Sequence, residues 1–320
     1  MTTNLNERTE PMQDAIHTLR ENIRKVYLGE PGSIEKVLCC LLARGHLLLE
    51  DVPGVGKTVL ASAVARCVGG DFRRIQMTPD MLPADVIGVS IYEESTHEFR
   101  FRPGPVFANV LLADEINRTP PRTQSALLEA MNEASVTIDG LTHRLPQPFI
   151  VVATQNPSSF HGTYPLPESQ LDRFLLRTSL GYPSSESEIR VIQERPSTIA
   201  LSSLKPAVTL EQIRSMQDTT DQTRLETSVA SYIQQLAQRS RSIPELSLGL
   251  STRGALAVAQ AARATARLND RDYVIPEDVA EHFVAAASHR LTPSDPSLID
   301  DARALEAIAD DVLRSVDAPL

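Results

Sequence analysis

One short segment constrains the fold of this chain more than any other: a glycine loop between an apolar run and a helical pattern. The loop is Gly54-Val55-Gly56-Lys57-Thr58, between the apolar residues 46–50 and the helical pattern 59–68. A buried strand that leads through such a loop into a helix directs backbone N–H groups and the positive helix end at one anion. The segment therefore predicts a phosphate-binding loop in an α/β fold. We expect Lys57 to reach the β- and γ-phosphates of a nucleoside triphosphate, and Thr58 to bind Mg²⁺.

The loop departs from the full phosphate-loop consensus at its first position, where Asp51 stands in place of glycine. The context supports the interpretation, because apolar residues recur along one face of the following helix and Gly69-Gly70 suits a left-handed helix end. The alternative is an ordinary strand-to-helix turn with a solvated Lys57. The residues expected to contact the nucleotide here are Asp51, Val52, Pro53, Gly54, Val55, Gly56, Lys57, Thr58 and Val59.

Length and charge limit the classes of protein that fit. A chain of 320 residues is long enough for two domains. The formal net charge of -10 gives no general attraction to a phosphate backbone, so we expect no nucleic-acid partner. No stretch approaches the roughly eighteen apolar residues of a membrane-spanning helix, and residues 1–10 lack the apolar core of a signal peptide. We expect a cytoplasmic protein that does not insert into a membrane.

The order of strand and helix patterns predicts the fold class. Ser33 is expected to cap a helix that precedes the first strand. From there to about Pro183, apolar strand patterns alternate with helical segments, which predicts a three-layer αβα sandwich on a parallel sheet. The core strands predicted after the phosphate loop are 72–76, 109–114, 149–154 and 177–180.

The chain after Pro183 has a different pattern. It consists mainly of alanine-rich helical segments, with a capping box at Thr209 and Gln212 and a helix that begins at Pro276. Residues 197–208 are interpreted as a loop. The predicted domains are therefore an α/β core over 1–183 and a smaller all-α domain over 184–320.

Two pairs of short strands interrupt the α/β alternation. Residues 91–92 and 98–101 form one predicted hairpin, and residues 135–138 and 142–145 form another across Asp139-Gly140. An Asp-Gly dipeptide suits a tight hairpin turn because both positions tolerate a positive φ. We expect both hairpins to project beyond the main sheet.

Two adjacent carboxylates end the apolar strand over 109–113, which is the arrangement called Walker B. Asp114 can hold Mg²⁺ through its water shell, while Glu115 points differently and can polarise the water that attacks the γ-phosphate. The alternative is ordinary solvation of acidic residues at a strand end. Combined with the phosphate loop, the pair predicts hydrolysis of the bound nucleotide.

A polar residue also stands at the tip of the strand over 149–154. The amide of Asn156 could hydrogen-bond both the γ-phosphate and the attacking water. The alternative is a turn, which Asn-Pro often marks without further meaning.

These motifs closely resemble the MoxR family of AAA+ ATPases, and the resemblance covers nearly the whole chain. In that family an acid likewise replaces the first glycine of the phosphate loop. The segments that carry the resemblance are 50–58, 105–109, 114–118, 123–124, 127–131, 153–157, 162–168 and 171–174.

The resemblance implies roles for single residues. Asn156 would be sensor 1, and Arg173 would be the arginine finger that enters the site of a neighbouring subunit. Arg253 would be the sensor 2 arginine, reaching from a helical lid to the γ-phosphate. A guanidinium from another subunit neutralises charge in the transition state, which makes hydrolysis depend on assembly. The alternative for Arg173 is an ion pair within its own chain, with Asp172 or Glu168.

The resemblance also implies a biological output. It suggests a hexameric ring of subunits that hydrolyse ATP with Mg²⁺ to remodel or activate a protein client, in partnership with a protein that has a von Willebrand factor A domain. It makes the first hairpin the helix-2 insert, the second the pre-sensor-1 hairpin, and residues 26–29 the adenine-contacting segment. The alternatives are a magnesium-chelatase-like motor subunit and a nucleotide-gated scaffold that does not hydrolyse ATP.

Overall fold

The structure is a computed structural model that describes residues 6–51, 54–155, 164–194, 201, 203–299 and 301–319, with only the backbone of 6–12 and 194. In chain order its helices and strands are α1 (Asn6–Arg24), α2 (Pro31–Leu42), β1 (Leu47–Glu50), α3 (Lys57–Cys67), β2 (Phe72–Gln76), α4 (Pro83–Ile87), β3 (Gly88–Glu93), β4 (Glu98–Pro103), β5 (Val110–Asp114), α5 (Pro121–Glu133), β6 (Ser135–Ile138), β7 (Leu141–Arg144), β8 (Ile150–Gln155), α6 (Glu168–Leu171), β9 (Leu176–Thr178), α7 (Ser185–Glu194), α8 (Leu210–Asp221), α9 (Thr227–Ser240), β10 (Leu246–Leu248), α10 (Thr252–Leu268), α11 (Pro276–Ala287), β11 (Thr292–Pro293) and α12 (Ala302–Arg314).

A five-stranded parallel sheet forms the centre of the α/β core, in the order β2-β5-β8-β1-β9. Its strands lie within a residue or two of the predicted ones. Successive side chains of a strand point to opposite faces, so a sheet covered on both faces needs apolar residues at nearly every position. Leu47 and Leu49 of β1 accordingly belong to one apolar cluster, and Leu48 between them belongs to the other.

Helices cover both faces of this sheet. The buried residues of α2 and α3 join the first cluster, and those of α4 and α5 join the second. The first cluster continues into the helical segments after residue 183, because α2 packs against α8 and α10. The three-layer αβα sandwich and the helical C-terminal part are confirmed, and the C-terminal part also contains one short two-stranded sheet, β10–β11. The boundary between 1–183 and 184–320 stays a prediction.

The two predicted hairpins are present as separate two-stranded antiparallel sheets, β3–β4 and β6–β7. Asp139 and Gly140 join β6 to β7 with φ of 51° and 78°, as the Asp-Gly turn predicts. Phe101 of β4 stacks on His143 of β7 with ring centroids 4.0 Å apart. The hairpins are therefore in direct contact with each other.

Helix ends follow the sequence except at one place. The capping box at Thr209 and the helix start at Pro276 are confirmed. The prediction that Ser33 caps α2 is wrong, because Glu30 occupies the cap position and its carboxylate accepts the backbone N–H of Gly32 at 3.1 Å. Pro31 fixes the first helical φ, which moves the start of α2 ahead of Ser33. Residues 197–200 and 202 of the predicted loop over 197–208 lie outside the described residues. Residues 201 and 203 are helical, and 204–208 contain no helix or strand, as predicted.

Cys39, Cys40 and Cys67 are buried in helices as free thiols, and burial raises the pKa of Cys39 to about 12. In the part of the chain that the structure describes, we find no helix with the length and apolar composition needed to cross a membrane.

Candidate functional site

The phosphate loop connects β1 to α3 at the carboxyl edge of the parallel sheet. Gly54 and Gly56 have φ of 94° and 93°, a left-handed conformation that other residues adopt only with strain. Gly56 directly precedes α3 and has no side chain, so this residue does not cap the first N–H groups of the helix. Val52 and Pro53, two of the predicted nucleotide contacts, lie outside the described residues. The described loop has the local geometry that the sequence predicts.

Lys57 begins α3 and turns back onto the loop. Its ammonium donates a hydrogen bond to the backbone carbonyl of Asp51 at 2.8 Å. Burial lowers the pKa of Lys57, and the negative charges of Asp51, Asp114 and Glu115 oppose that shift. Lys57 lines one cavity with Asp114 and Glu115, the carboxylates at the end of β5. Thr58, the next residue, is half-buried and lines the same cavity.

Asp114 and Glu115 meet the hydroxyl of Thr154 where β5 and β8 run side by side. The Thr154 hydroxyl donates to the carboxylate of Asp114 at 3.3 Å and accepts the backbone N–H of Glu115 at 2.8 Å. Glu115 has φ of 59°, a left-handed conformation that is uncommon outside glycine. This turn gives the two adjacent carboxylates different directions, as expected for one metal-binding and one water-activating group.

Two polar residues of β2 contact the Asp114 and Glu115 carboxylates, and sequence reasoning missed both. The guanidinium of Arg74 donates to the carboxylate of Asp114 at 2.6 Å, and the amide of Gln76 donates to Glu115 at 2.8 Å. The alternation Arg74-Ile75-Gln76 was a signal for them, because it places both polar residues on one face of a strand beside the Walker B strand. Arg118 also donates to Glu115, at 3.1 Å.

A cavity of about 330 Å³ brings most of these groups together. Its lining residues are Gly54, Gly56, Lys57, Thr58, Val59, Arg74, Gln76, Asp114, Glu115 and Thr154. A mixture of free N–H groups, cations and carboxylates at a helix N-terminus suits a triphosphate with a divalent cation. The donor set therefore fits Mg²⁺, with Thr58 and Asp114 as the oxygen groups able to hold it.

A second cavity, of about 170 Å³, adjoins the first and shares Gly54, Gly56 and Val59 with it. The predicted adenine segment 26–29 lines it, together with Val55, Pro183 and Val191. An apolar cavity beside a phosphate site suits a nucleobase. Its position supports the expected place of the adenine, although the sequence had not indicated Pro183 or Val191.

Asn156 lies outside the described residues, so its expected contact with the γ-phosphate stays a prediction. The preceding Gln155 ends β8 beside β1. This places the chain that leads into Asn156 at the same sheet edge as the phosphate loop.

The two predicted arginines lie together, away from the described part of the phosphate cavity. Arg173 donates to the backbone carbonyl of Leu128 at 2.7 Å. Arg253, the second residue of α10, forms an ion pair with the carboxylate of Asp172 at 3.1 Å and donates a hydrogen bond to the side chain of Asn132 at 3.4 Å. Leu128 and Asn132 are one turn apart in α5, so the two arginines are neighbours. Neither lines the described part of the phosphate cavity.

The alternative of an ion pair between Arg173 and Asp172 or Glu168 is not what the described contacts show. Asp172 is instead bound by two arginines from the C-terminal part, Arg253 and Arg290. Arg290 donates to Asp172 at 2.7 Å and to the backbone carbonyl of Phe174 at 2.7 Å.

Comparison with known proteins agrees with this architecture. A family model described as "ATPase family associated with various cellular activities (AAA)" matches residues 46–176, and a model of the AAA lid domain matches residues 238–311. The chain is 46% identical to YeaC of Bacillus subtilis over 96% of this chain and 97% of the relative. It is 40% identical to Chaperone MoxR1 of Mycobacterium tuberculosis over 97% of this chain and 85% of the relative.

A crystal structure of a protein from Cytophaga hutchinsonii superposes with a TM-score of 0.90 at 35% identity, over 98% of each chain. The fold and these matches define an AAA+ ATPase, with an α/β core followed by a helical lid. Within that class, the chain belongs to the MoxR family, to which proteins named MoxR and Chaperone MoxR1 also belong. The family recognised from the sequence motifs is confirmed.

Proposed function

We propose that this protein hydrolyses ATP to ADP and phosphate with Mg²⁺, as one subunit of a hexameric ring that remodels or activates protein clients. The observation that carries the catalytic part is the convergence of Lys57, Asp114, Glu115 and Thr154 on one cavity beside the phosphate loop. A solvated lysine in an ordinary turn would not be directed toward the carboxylates of another strand.

The chemistry assigns a separate task to each group. Lys57 leaves the carbonyl of Asp51 and binds the β- and γ-phosphates. Asp114 and Thr58 hold the metal, and Glu115 accepts a proton from the attacking water. When bound, Mg²⁺ neutralises negative charge on the phosphate oxygens. The Thr154 hydroxyl fixes the direction of both Walker B residues through its two hydrogen bonds.

The position of the arginines supports assembly into a ring. Arg173 and Arg253 lie together beside α5 and do not line the described phosphate cavity of their own chain, so we assign both to the site of a neighbouring subunit. Arg173 is then the arginine finger, and Arg253 reaches the γ-phosphate from a neighbour's lid. A ring lets every subunit both give and receive these arginines.

The proposal that the protein acts on protein clients rests on family membership and on the exposed hairpin β3–β4. Tyr92 and Phe99 of this hairpin are 48% and 74% exposed and contact each other with ring centroids 5.3 Å apart, so they form one exposed aromatic patch. We propose a protein client, and a partner with a von Willebrand factor A domain. A cytoplasmic location is part of the same proposal.

The test begins with the wild-type protein and Mg-ATP. We expect binding by calorimetry and release of phosphate at a measurable rate. Glu115→Gln should retain ATP binding and lose at least about 100-fold in turnover, because it removes the general base. Glu129→Gln changes an exposed acid of α5 outside the cavity and serves as the matched control.

The outcomes separate the proposal from its alternatives. Binding without turnover in the wild type would identify a nucleotide-gated scaffold, and no heat of binding would refute the ATPase itself. The trapped Glu115→Gln protein can then be used to isolate partners. Recovery of a large porphyrin-handling subunit, instead of a protein with a von Willebrand factor A domain, would favour the magnesium-chelatase alternative.

A further inference from the structure

The carboxylate of Asp51 has a structural role that a glycine at this position could not fill. It accepts hydrogen bonds from the Ser179 hydroxyl at 2.7 Å, the Leu180 N–H at 2.5 Å and the Gly181 N–H at 3.4 Å. Asp51 is only 6% exposed, so this negative charge depends on those donors for its solvation. The replacement of the consensus glycine therefore creates a contact between two distant parts of the chain.

The three donors belong to the segment that leads from the sheet toward the lid, residues 179–183, here called the hinge segment. Successive N–H groups that converge on one anion form a backbone nest, and the φ of 65° at Gly181 provides the left-handed residue of such a nest. Nests commonly bind phosphates or other external anions. Here the anion is the side chain of the phosphate loop itself.

Sheet topology explains how the two parts meet. β1 and β9 are parallel neighbours with Leu49 opposite Thr178. Continuing both strands by two residues brings Asp51 to the level of Leu180, across the same sheet edge. The contact is therefore set by strand register, and both segments leave the sheet already attached to each other.

Asp51 also contacts Lys57, through its backbone carbonyl, with the ammonium nitrogen 2.8 Å away. On the proposed function, Lys57 transfers to the phosphates when ATP binds and this hydrogen bond is lost. Asp51 thus has one contact that nucleotide binding breaks, with Lys57, and a second contact, with the hinge segment. The hinge segment ends at Pro183, which lines the cavity assigned to the adenine.

The hinge segment has space in which to move. A cavity of about 470 Å³ lies behind it, lined by Ser179, Gly181 and Tyr182 on one side and by the start of α12 on the other. A shift of the backbone into this space would not require the neighbouring helix to repack. The described packing therefore allows the hinge segment to follow the phosphate loop.

We propose that Asp51 is a positioning residue that fixes the hinge segment to the phosphate loop, and thereby sets the adenine-side wall and reports nucleotide occupancy to the lid. It acts through its carboxylate and forms no bond to the reacting atoms. The inference rests on the proposed function for its nucleotide response, but the contact itself exists without nucleotide.

The first experiment is amide hydrogen exchange of the nucleotide-free protein. We expect Leu180 and Gly181 to be protected in the wild type and to exchange at least about tenfold faster in Asp51→Asn and Asp51→Gly, since a charged acceptor is lost. Ser179→Ala removes one donor without altering the phosphate loop and should shift exchange in the same direction by a smaller factor. This measurement needs no ATPase activity.

The second experiment is steady-state hydrolysis with direct measurement of ADP affinity. Asp51→Gly restores the consensus glycine, so a contribution to phosphate binding alone predicts normal or improved affinity. The positioning role instead predicts that KM for ATP and Kd for ADP rise by about tenfold, with a smaller effect on kcat, because the adenine wall is displaced. Addition of ADP should change exchange at 180–181 in the wild type and have less effect in the variants.

Asp278→Asn is the matched control. Asp278 is also buried, at 2% exposure, but it lies in the lid. Its carboxylate accepts a hydrogen bond from the backbone N–H of Ile275 and forms an ion pair with Arg271. It should lower stability without changing KM or exchange at 180–181. Unchanged protection of Leu180 and Gly181 in all Asp51 variants would overturn the inference. Failure of the wild type to bind Mg-ATP would instead refute the proposed function, and hydrogen exchange would still decide whether the contact exists.

Discussion

Asp172 and Arg290 join the core to the lid through a hydrogen-bonded ion pair 2.7 Å long, immediately beside Arg173. The side chain of Arg290 is 4% exposed and also donates to backbone carbonyls of Asp172, Phe174 and Leu175. The other oxygen of the same carboxylate binds Arg253, whose side chain is 59% exposed. One carboxylate therefore has a fixed cation on one oxygen and an exchangeable cation on the other.

Replacement of Arg290 by Met should destabilise the protein by about 3 kcal/mol, because it removes one partner of a buried ion pair and a donor to several backbone carbonyls. The free energy of unfolding from a urea titration measures this effect. Arg253→Met is the control on the same carboxylate, and its cost should stay below about 1 kcal/mol since that pair is exposed. Equal losses of unfolding free energy in the two variants would show that the buried contact stabilises the protein no more than the exposed one.

Replacement of Arg173 by Ala should lower kcat by at least about 100-fold in the assembled protein while leaving ATP affinity nearly unchanged. The reason is that its guanidinium is assigned to the site of another subunit. A mixture of Arg173→Ala with Lys57→Ala should recover part of the lost activity, because some interfaces combine an intact loop with an intact arginine. Phosphate release measured across mixing ratios tests this directly.

No recovery at any mixing ratio would contradict a shared site and assign Arg173 to its own chain. Arg253→Ala should behave like Arg173→Ala in the same mixtures. If it failed to complement Lys57→Ala while Arg173→Ala succeeded, only the finger would act between subunits.

Replacement of Arg74 by Ala should raise the apparent affinity for Mg²⁺ in the presence of ATP by about fivefold, because a half-exposed ion pair contributes up to about 1 kcal/mol. Arg74 donates to the carboxylate of Asp114 that the metal would use, so the two cations compete. A Mg²⁺ titration of ATP binding provides the measurement. Arg74→Lys retains the charge and should stay close to the wild type, and a weaker Mg²⁺ affinity in Arg74→Ala would reverse the assignment.

Stability should fall in mild acid because of buried neutral histidines. Burial lowers the pKa of His46 to about 4 from 6.5, against the smaller opposing effect of its hydrogen bond to Met131. The unfolded state then binds more protons than the folded state between these values. The stabilisation is complete above about pH 6.5 and is lost as the pH falls toward 4, at a cost of about 3 kcal/mol for this residue.

The variant His46→Gln isolates that contribution. Glutamine can accept the Val151 N–H and donate to the Met131 carbonyl, as the imidazole does now. His282 and His289 also have lowered pKa values, so the wild-type dependence is a sum and the difference between the two proteins belongs to His46. Identical slopes of unfolding free energy against pH in both proteins would contradict the assignment.

Local patterns in the sequence predicted the elements that local physics determines. Strand periodicity identified the buried strands, and the segment Gly54-Val55-Gly56-Lys57-Thr58 predicted the glycine loop between β1 and α3. The helix start at α2 was misplaced because Glu30, which is a less common cap than serine, precedes a proline. This error concerns only which of two nearby residues, Glu30 or Ser33, caps the helix.

Contacts between distant residues could not be predicted in the same way. Nothing near Asp51 in the chain indicates that its carboxylate binds a segment about 130 residues later, since that depends on which strand lies beside β1. The approach of Arg253 to Asp172 likewise depends on how the lid packs on the core. The family resemblance supplied roles for arginines, but only the fold shows which surface they share.

The stack of Phe101 on His143 has a mechanical consequence. Flat rings 4.0 Å apart cannot slide far without losing contact, so a force on the exposed tip of β3–β4 is carried into β6–β7 as well. That second ribbon begins directly after α5, the helix against which Arg173 and Arg253 rest. On the proposed function, a pull by a client on one ribbon would thus strain the helix that both proposed intersubunit arginines contact.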